Sequence, residues 1–345
     1  MKKDNTTIKD VAKKLNISIA TVSRALNDSW EVKKETRDLV VKTAEEMHYH
    51  PNAHARGLVT KKSRTIGFIV PDLVSTNYFT IISQRIQKEL LFKGYQLIIA
   101  QSVESPTEER RLLKMMLDFN VDGIIISTAT DSNYNKDIFE ELIQKKIPLV
   151  FISRVCYNVK APRIVVNDAE IAKKVTEHLL DEGCRKIVYL SGPTSMALCR
   201  IRYQGYCEAL KRRDIEIDPN LVIDTGLFQD DGHETILHML DEGIIPDGIF
   251  SSINAPALGV VKALKKRGYR IPQDIAVAGF TDSALSTIIE PNLTAVSPPL
   301  EEMGLVAIQQ LFRQIEGFEA KDITITLPSK LIIRESTQRR IITSK

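Results

Sequence analysis

The sequence predicts a small all-α head built on a helix-turn-helix, followed by an α/β core of two doubly wound, parallel-sheet lobes. Three observations predict it. Residues 7–27, TIKDVAKKLNISIATVSRALN, read as two short amphipathic helices broken at Asn16-Ile17. From Thr65 onward, short β-rich apolar runs alternate with helix-length amphipathic stretches, the pattern of βαβ units with helices on both faces of a parallel sheet. The charge is split in the same place. Residues 1–64 hold 14 Lys and Arg against 8 Asp and Glu, a balance of +6, and the other 281 hold 33 against 36, a balance of −3, which together give the net +3 of the chain.

In the head, Thr7 can cap the first helix, and Ile8, Val11, Ala12 and Leu15 follow at helical spacing, leaving Lys9, Lys13 and Lys14 in water. Ser18 caps the second helix, with Val22 and Leu26 facing inward. Ile19, Ala20, Ser23 and Arg24 are then left for an outside partner, small at the start of the helix and basic at its end. A helix of that shape fits a DNA major groove and presents few side chains to base edges. A third helix over 34–48, with Leu39, Val40, Ala44 and Met47 inward, would complete a three-helix core. Its cap region, 32–37, including Thr36, can reach phosphates. The competing reading is an ordinary pair of bundle helices, but a basic bias confined to this end of the chain favours a polyanion-binding module.

At 345 residues and 43% apolar content the chain is long enough for two or three globular domains. No apolar stretch approaches the roughly 18 residues of a membrane span, and no apolar run follows the charges at the start. The expectation is a cytoplasmic protein without a membrane partner. Cys156, Cys184, Cys199 and Cys207 are scattered, with no CxxC pair and no histidine at ligand spacing, so they read as reduced structural thiols and no metal is expected.

The strand candidates are 66–70, 97–100, 123–127, 149–152, 187–191, 249–251 and 275–279, with an extra short run at 164–166 where one sheet ends and a second begins. Ligands of such sheets sit outside the carboxyl ends of the strands. The loops there, 72–79, 153–154, 191–202, 254–255 and 280–282, are rich in hydroxyl, amide, arginine and aromatic groups, which suit a polar small molecule. The 16 glycines form no GxG pair, and there is no phosphate loop, no GxSxG elbow and no histidine with a matching nucleophile. No catalytic residue and no cofactor is expected, so an enzyme reading has no support.

The head resembles that of the lactose/galactose-repressor (LacI-type) family of bacterial transcription regulators. The shared signature is Asp10-Val11-Ala12, Ser18, Thr21-Val22-Ser23-Arg24 and Asn27. The likeness continues at Tyr49, Pro51-Asn52, Ala55-Arg56, Leu58, Thr65-Ile66-Gly67 and Pro71-Asp72. It reappears at Ser191-Gly192-Pro193, Arg202, Gly205-Tyr206, Ala257-Leu258-Gly259, residues 272–275, Gly279-Phe280 and Leu293-Thr294. The resemblance implies a helix-turn-helix domain over 1–50, a hinge helix over 51–62 and an effector-binding, dimerising core over 63–345, like periplasmic sugar-binding proteins. The N-lobe would take about 63–163 plus 293–324 and the C-lobe about 164–292 plus 325–345, with crossings near 163–166, 290–293 and 324–327.

The same resemblance implies a homodimer on double-stranded operator DNA, repression as the sign of regulation, and a small-molecule effector, a sugar or sugar derivative, in the cleft between the lobes. Ser18, Ile19, Ala20, Ser23 and Arg24 would enter the major groove, with Thr7, Thr21, Asn27 and Thr36 as further DNA-binding residues. Asn52, Ala55, Arg56 and Leu58 would lie in the minor groove, where Leu58 wedges a central base step. The effector set would be Tyr78, Phe79, Ser153, Arg154, Arg202, Phe228, Asn254 and Thr281. The chain departs from the family pattern at and beside these positions: Ala255 follows Asn254 where an aspartate is usual, Thr281 and Ser153 stand where an aspartate is usual or frequent, and the Asn-Pro-Phe-Phe turn of many members becomes Ser75-Thr76-Asn77-Tyr78-Phe79, without a proline. Fewer carboxylates beside Arg154, Arg200 and Arg202 point to an acidic or phosphorylated sugar derivative, with a core salt bridge or a solvated side chain as the plainer role for Arg154 and Arg200. A solute-binding sensor that does not act on DNA is the alternative function.

Overall fold

The computed structural model describes residues 6–26, 31–49, 63–74, 77–280 and 283–339, apart from the side chain of Asn254. It divides into two compact units, residues 1–63 and 64–345.

The first unit holds α1 (Ile8–Leu15), α2 (Ile19–Leu26) and α3 (Lys34–Glu46). The start of α1 is organised by Asp10, whose Oδ2 accepts the Thr7 N–H at 2.8 Å and the Thr7 hydroxyl at 2.6 Å. Thr7 therefore sits at the cap position while the carboxylate three residues on satisfies the free amide, and Thr7 itself pulls that carboxyl below its ordinary range. Helix α1 ends at Asn16 in the left-handed conformation (φ 53°), a backbone state that asparagine tolerates better than most residues. Val11, Ala12, Val22, Ala25, Val32 and Val40 form the small core, with Leu15, Leu26 and Met47 packed at its edge. Leu39, expected inside, is 53% exposed. The buried stripe of α3 runs Val40, Thr43 and Ala44, so Leu39, one residue and about 100° away, turns to solvent.

The second unit contains two six-stranded sheets. The first has the order β11-β5-β4-β3-β1-β2, with β1 (Thr65–Val70), β2 (Gln96–Gln101), β3 (Gly123–Ile126), β4 (Leu149–Ile152), β5 (Arg163–Val166) and β11 (Thr324–Leu327), all parallel. Alternate side chains of its strands feed two cores. Ile66, Phe68, Ile125 and Val150 pack under α4 (Tyr78–Phe92) and α12 (Leu300–Ile315), and Ile69, Ile124, Ile126 and Phe151 pack under α5 (Pro106–Asp118) and α6 (Lys136–Gln144).

The second sheet has the order β12-β10-β9-β8-β6-β7, with β6 (Ile187–Ser191), β7 (Val222–Asp224), β8 (Gly248–Ser251), β9 (Ala276–Gly279), β10 (Thr294–Ser297) and β12 (Lys330–Ile332). Strand β12 runs antiparallel to β10; the other pairs are parallel. Helices α7 (Asp168–Asp181) and α8 (Ala197–Lys211) cover one face, α9 (Gln229–Asp241) and α10 (Asn254–Lys266) the other, and α11 (Leu285–Ile288) is a single turn.

The chain crosses between the sheets three times, at points that differ from the expected ones. Strand β5 belongs to the first sheet through Val166, and the first crossing follows it. Strand β10 pairs with β9 in the second sheet, so the second crossing falls at Pro298-Pro299 rather than near 290–293. Two consecutive prolines have no N–H to give a ladder, which ends the strand there. Strand β11 lies wholly in the first sheet, and the third crossing is at Pro328-Ser329. The Ser329 N–H donates to Asn167 Oδ1 at 2.8 Å and the Asn167 N–H to Leu327 O at 3.3 Å, which fastens two crossings together.

Candidate DNA-reading face and interlobe cleft

In the head, α2 presents Ile19, Ala20 and Arg24 to solvent, with Ser18 exposed just before it and Thr21 and Ser23 half-buried on the same side, while Val22 and Ala25 point inward. Ser18 Oγ accepts the Thr21 N–H at 3.0 Å and lies 2.8 Å from Thr21 Oγ1, so Ser18 caps the helix as expected. Ile19 is 45% exposed, an isolated apolar side chain at the first turn. Arg24, at the far end, forms an ion pair with Glu31, Nε to Oε2 3.1 Å. Thr36 is half-buried in the first turn of α3, and Thr7 is exposed at the start of α1. Asn27 and the hinge residues Asn52, Ala55, Arg56 and Leu58 lie outside the described residues, as does Thr281.

The cleft lies at the carboxyl ends of the strands and is narrow in this arrangement of the lobes. The first lobe supplies the loop after β3 (Thr128, Ala129, Thr130) and Ser153, Arg154 and Tyr157 after β4; the second supplies Asp168 and the start of α8, Met196 to Leu198. Arg154 Nη1 donates to both carboxylate oxygens of Glu104 at 2.8 and 2.6 Å, an ion pair with its side chains only 16% and 13% exposed. Arg202 Nε donates to Asp168 Oδ1 at 2.7 Å, its Nη1 to Ser252 O at 2.6 Å, and its guanidinium stacks 3.3 Å from the centre of the Phe280 ring. Burial pushes Asp168 above the ordinary carboxylate range, and Arg202 opposes that shift. Burial raises the Tyr78 phenol to about 12, with the Ser153 hydroxyl alongside as its opposing partner. Thr128 Oγ1 is buried and has no hydrogen-bond partner among the described residues.

Of the residues expected at an effector site, Ser153 and Arg154 line the cleft, and Tyr78 and Arg202 adjoin it through Ser153 and Asp168. Phe79 instead sits in the first lobe's core, 6% exposed. Its neighbour Tyr78 is partly buried and packs against that same core, its ring edge-on to Phe79. Phe228 is half exposed at the cap of α9 and is not among the cleft residues. Asn254 begins α10. Arg200 is an exposed loop staple, donating to Thr194 O and, at 3.1 Å, to Ser195 O. Arg154 and Arg202 are each matched to a carboxylate, so the two buried arginines bring no surplus positive charge to the cleft, and Arg200 turns to solvent.

Residues 7–52 match the family of bacterial regulatory proteins of the lacI type, and residues 176–337 match the periplasmic binding protein-like domain. Across 96% of the chain the sequence is 32% identical to the ribose operon repressor of Halalkalibacterium halodurans, covering 97% of that protein. The chain belongs to the LacI family. As a LacI-family protein it is a DNA-binding transcriptional regulator and not an enzyme, and several of its relatives are named repressors. Catabolite control protein A of Priestia megaterium is 31% identical over 97% of this chain and 100% of that protein. Among solved structures, the Lac repressor dimer bound to operator and the anti-inducer ONPF superposes with a TM-score of 0.86 at 25% identity, covering 97% of this chain and 99% of that one. The transcriptional regulator CelR–cellobiose complex gives 0.73 at 26% identity over 96% and 100%. Among the described residues no helix is long and apolar enough to cross a membrane, and no cluster of His, Cys, Asp or Glu could hold a metal ion.

Sequence reasoning missed the acidic partners in this LacI-family cleft and its β3 wall. The rule that places ligands at strand carboxyl ends, applied to β3, leads directly to Thr128–Thr130. Glu104 and Asp168 gave no signal, because each reads in sequence as a loop or first-turn acid.

Proposed function

We propose that this protein represses transcription by binding, as a homodimer, a pseudo-palindromic operator through α2, and that a sugar or uncharged sugar derivative in the interlobe cleft switches the affinity. The single observation that supports the switch most strongly is a cleft walled by both lobes, whose buried arginines are already neutralised by Glu104 and Asp168. A polyhydroxylated neutral ligand suits such a wall, since hydroxyls can bond to paired charges without leaving a surplus charge buried. One recognition helix reads only a few base pairs, and a two-fold pair multiplies both affinity and specificity. In this reading residues 1–50 are the DNA-reading head.

An electrophoretic shift with promoter DNA from the protein's own operon tests the reading, run at fixed salt with and without neutral sugars and their phosphates and uronates. Retention of one promoter fragment over competitor, altered by a neutral sugar, is the expected result. Binding changed only by the charged derivatives removes the effector class, and no preference for any duplex removes the DNA reading. The solute-sensor alternative accounts for the lobes and leaves the head without a role.

A further inference from the structure

Arg24 closes the polar side of α2, and its partner comes from the segment that leads into α3. The contact is specific in geometry: Glu31 Oε2 lies 3.1 Å from Nε, with the two side chains 57% and 47% exposed. An ion pair this open to water adds little to stability, and either residue could be solvated instead. The pair's effect lies in where it places the guanidinium. That group is a planar fork with an Nε edge and a terminal pair of amino groups, and guanine O6 and N7 accept the terminal pair side by side. A carboxylate on the Nε edge leaves the terminal pair available and removes rotamer freedom from a long side chain before DNA arrives. It also puts a negative charge beside the reading face, where DNA phosphates are repelled unless Arg24 finds a proper acceptor.

We infer that Glu31 is a positioning residue for base reading: it grips Arg24 by the Nε edge so that the terminal amino groups meet one guanine end-on, and so makes that base pair a point of discrimination. The inference rests on α2 being the base-reading helix. Its signature is local, because a residue that only supported the fold would weaken binding to all sequences alike.

The test uses the full-length protein and the duplex that wild type selects from a random pool. Every base pair of one half-site is then substituted in turn, and competition is read by fluorescence anisotropy at about 150 mM salt. Arg24→Ala should flatten discrimination at one G·C pair. Glu31→Ala and Glu31→Gln should lower discrimination at that same pair by about tenfold, the scale of one bidentate contact. Other positions should stay unchanged, and affinity for random DNA should be equal or higher. In the Arg24→Ala background, Glu31→Ala should have no further effect. The inference is overturned if discrimination at that pair survives Glu31→Ala, or if the loss spreads evenly over the half-site. If Arg24→Ala leaves every pair read as before, Arg24 reads no base and the inference falls with it, and α2 as the base-reading helix falls too if Ile19→Lys and Ala20→Lys also leave every pair read as before; if only the Glu31 variants are silent, that reading stands and the buttress alone falls. Both side chains are exposed, and a thermal melt of each variant confirms folding.

Discussion

Glu109 is fully buried in the first lobe, and among the described residues no basic side chain forms an ion pair with it. Its Oε2 accepts the Ala129 N–H at 2.6 Å and its Oε1 accepts from Asn135 Nδ2 at 2.8 Å, which fixes the loop that forms the β3 wall of the cleft. Burial pushes its carboxyl up to about 7, the two N–H donors and Arg154 pull it down, and the neighbouring Glu104 adds to the rise. Folded chains therefore hold a proton here that unfolded chains have released between about pH 4.5 and 7. The sign follows: this group's contribution to stability is full below pH 4.5 and is lost as pH rises through 7, on the order of 2–3 kcal/mol. Urea unfolding of wild type and Glu109→Gln at pH 5, 6, 7 and 8 should show the wild-type curve falling relative to the variant. Parallel curves would refute the assignment. Asp137 and Asp274, held down to about 2 by hydrogen bonds from Arg110 and Arg270, titrate below this window and do not obscure it. None of this could be read from PTEERRLLKMML, where Glu109 looks like one of two first-turn acids on an ordinary amphipathic helix. Only the fold shows that the second acid faces the core.

Whole elements were more legible than single side chains where they were long or strongly patterned. The head helices declare themselves through caps and 3.6-residue spacing, and the central strands through short apolar runs rich in Ile and Val such as GIII and LVFI. Strands β7, β10 and β12 have 3 or 4 residues each, too few to show a period, and they owe their existence to the edge they pair with. Helix pairing was also hidden. Helices α7 and α8 approach so closely that a Cβ on Gly205 would stand 2.1 Å from Ala169 O, and on α10 a Cβ on Gly259 would stand 2.0 Å from Gln229 O. Both obstacles are backbone, so an alanine at either site has to push two helices apart. Gly205→Ala should cost about 3 kcal/mol. Gly243→Ala, at a left-handed turn (φ +79°) with open space around the new carbon, should cost only about 1 kcal/mol. Denaturant midpoints for the two variants check the contrast, and equal losses would show that close packing is not what Gly205 supplies.

At the scale of the whole molecule, the division of charge and the alternation of elements were visible in sequence, whereas the exact crossings were not. They depend on which sheet edge receives β10 and β11, a long-range choice that four-residue segments do not encode. Those crossings matter because Asp168, which holds Arg202 at the cleft, directly follows Asn167, the residue that ties the first crossing to the third. In the proposed switch, a ligand bound in the cleft would act next to the segments that join the two lobes. If a sugar lowers operator affinity by some factor through that reorientation, operator must lower sugar affinity by the same factor, since both report one coupling free energy. Calorimetric titration of the sugar found in the shift assay, with free protein and with the protein–operator complex, measures that factor from the second side. Typical couplings are about 5- to 150-fold. Equal factors from the two experiments support a two-state switch in the lobes. Sugar affinity untouched by operator, alongside a real loss of operator binding, would mean that the sugar acts elsewhere than on the equilibrium between lobe arrangements.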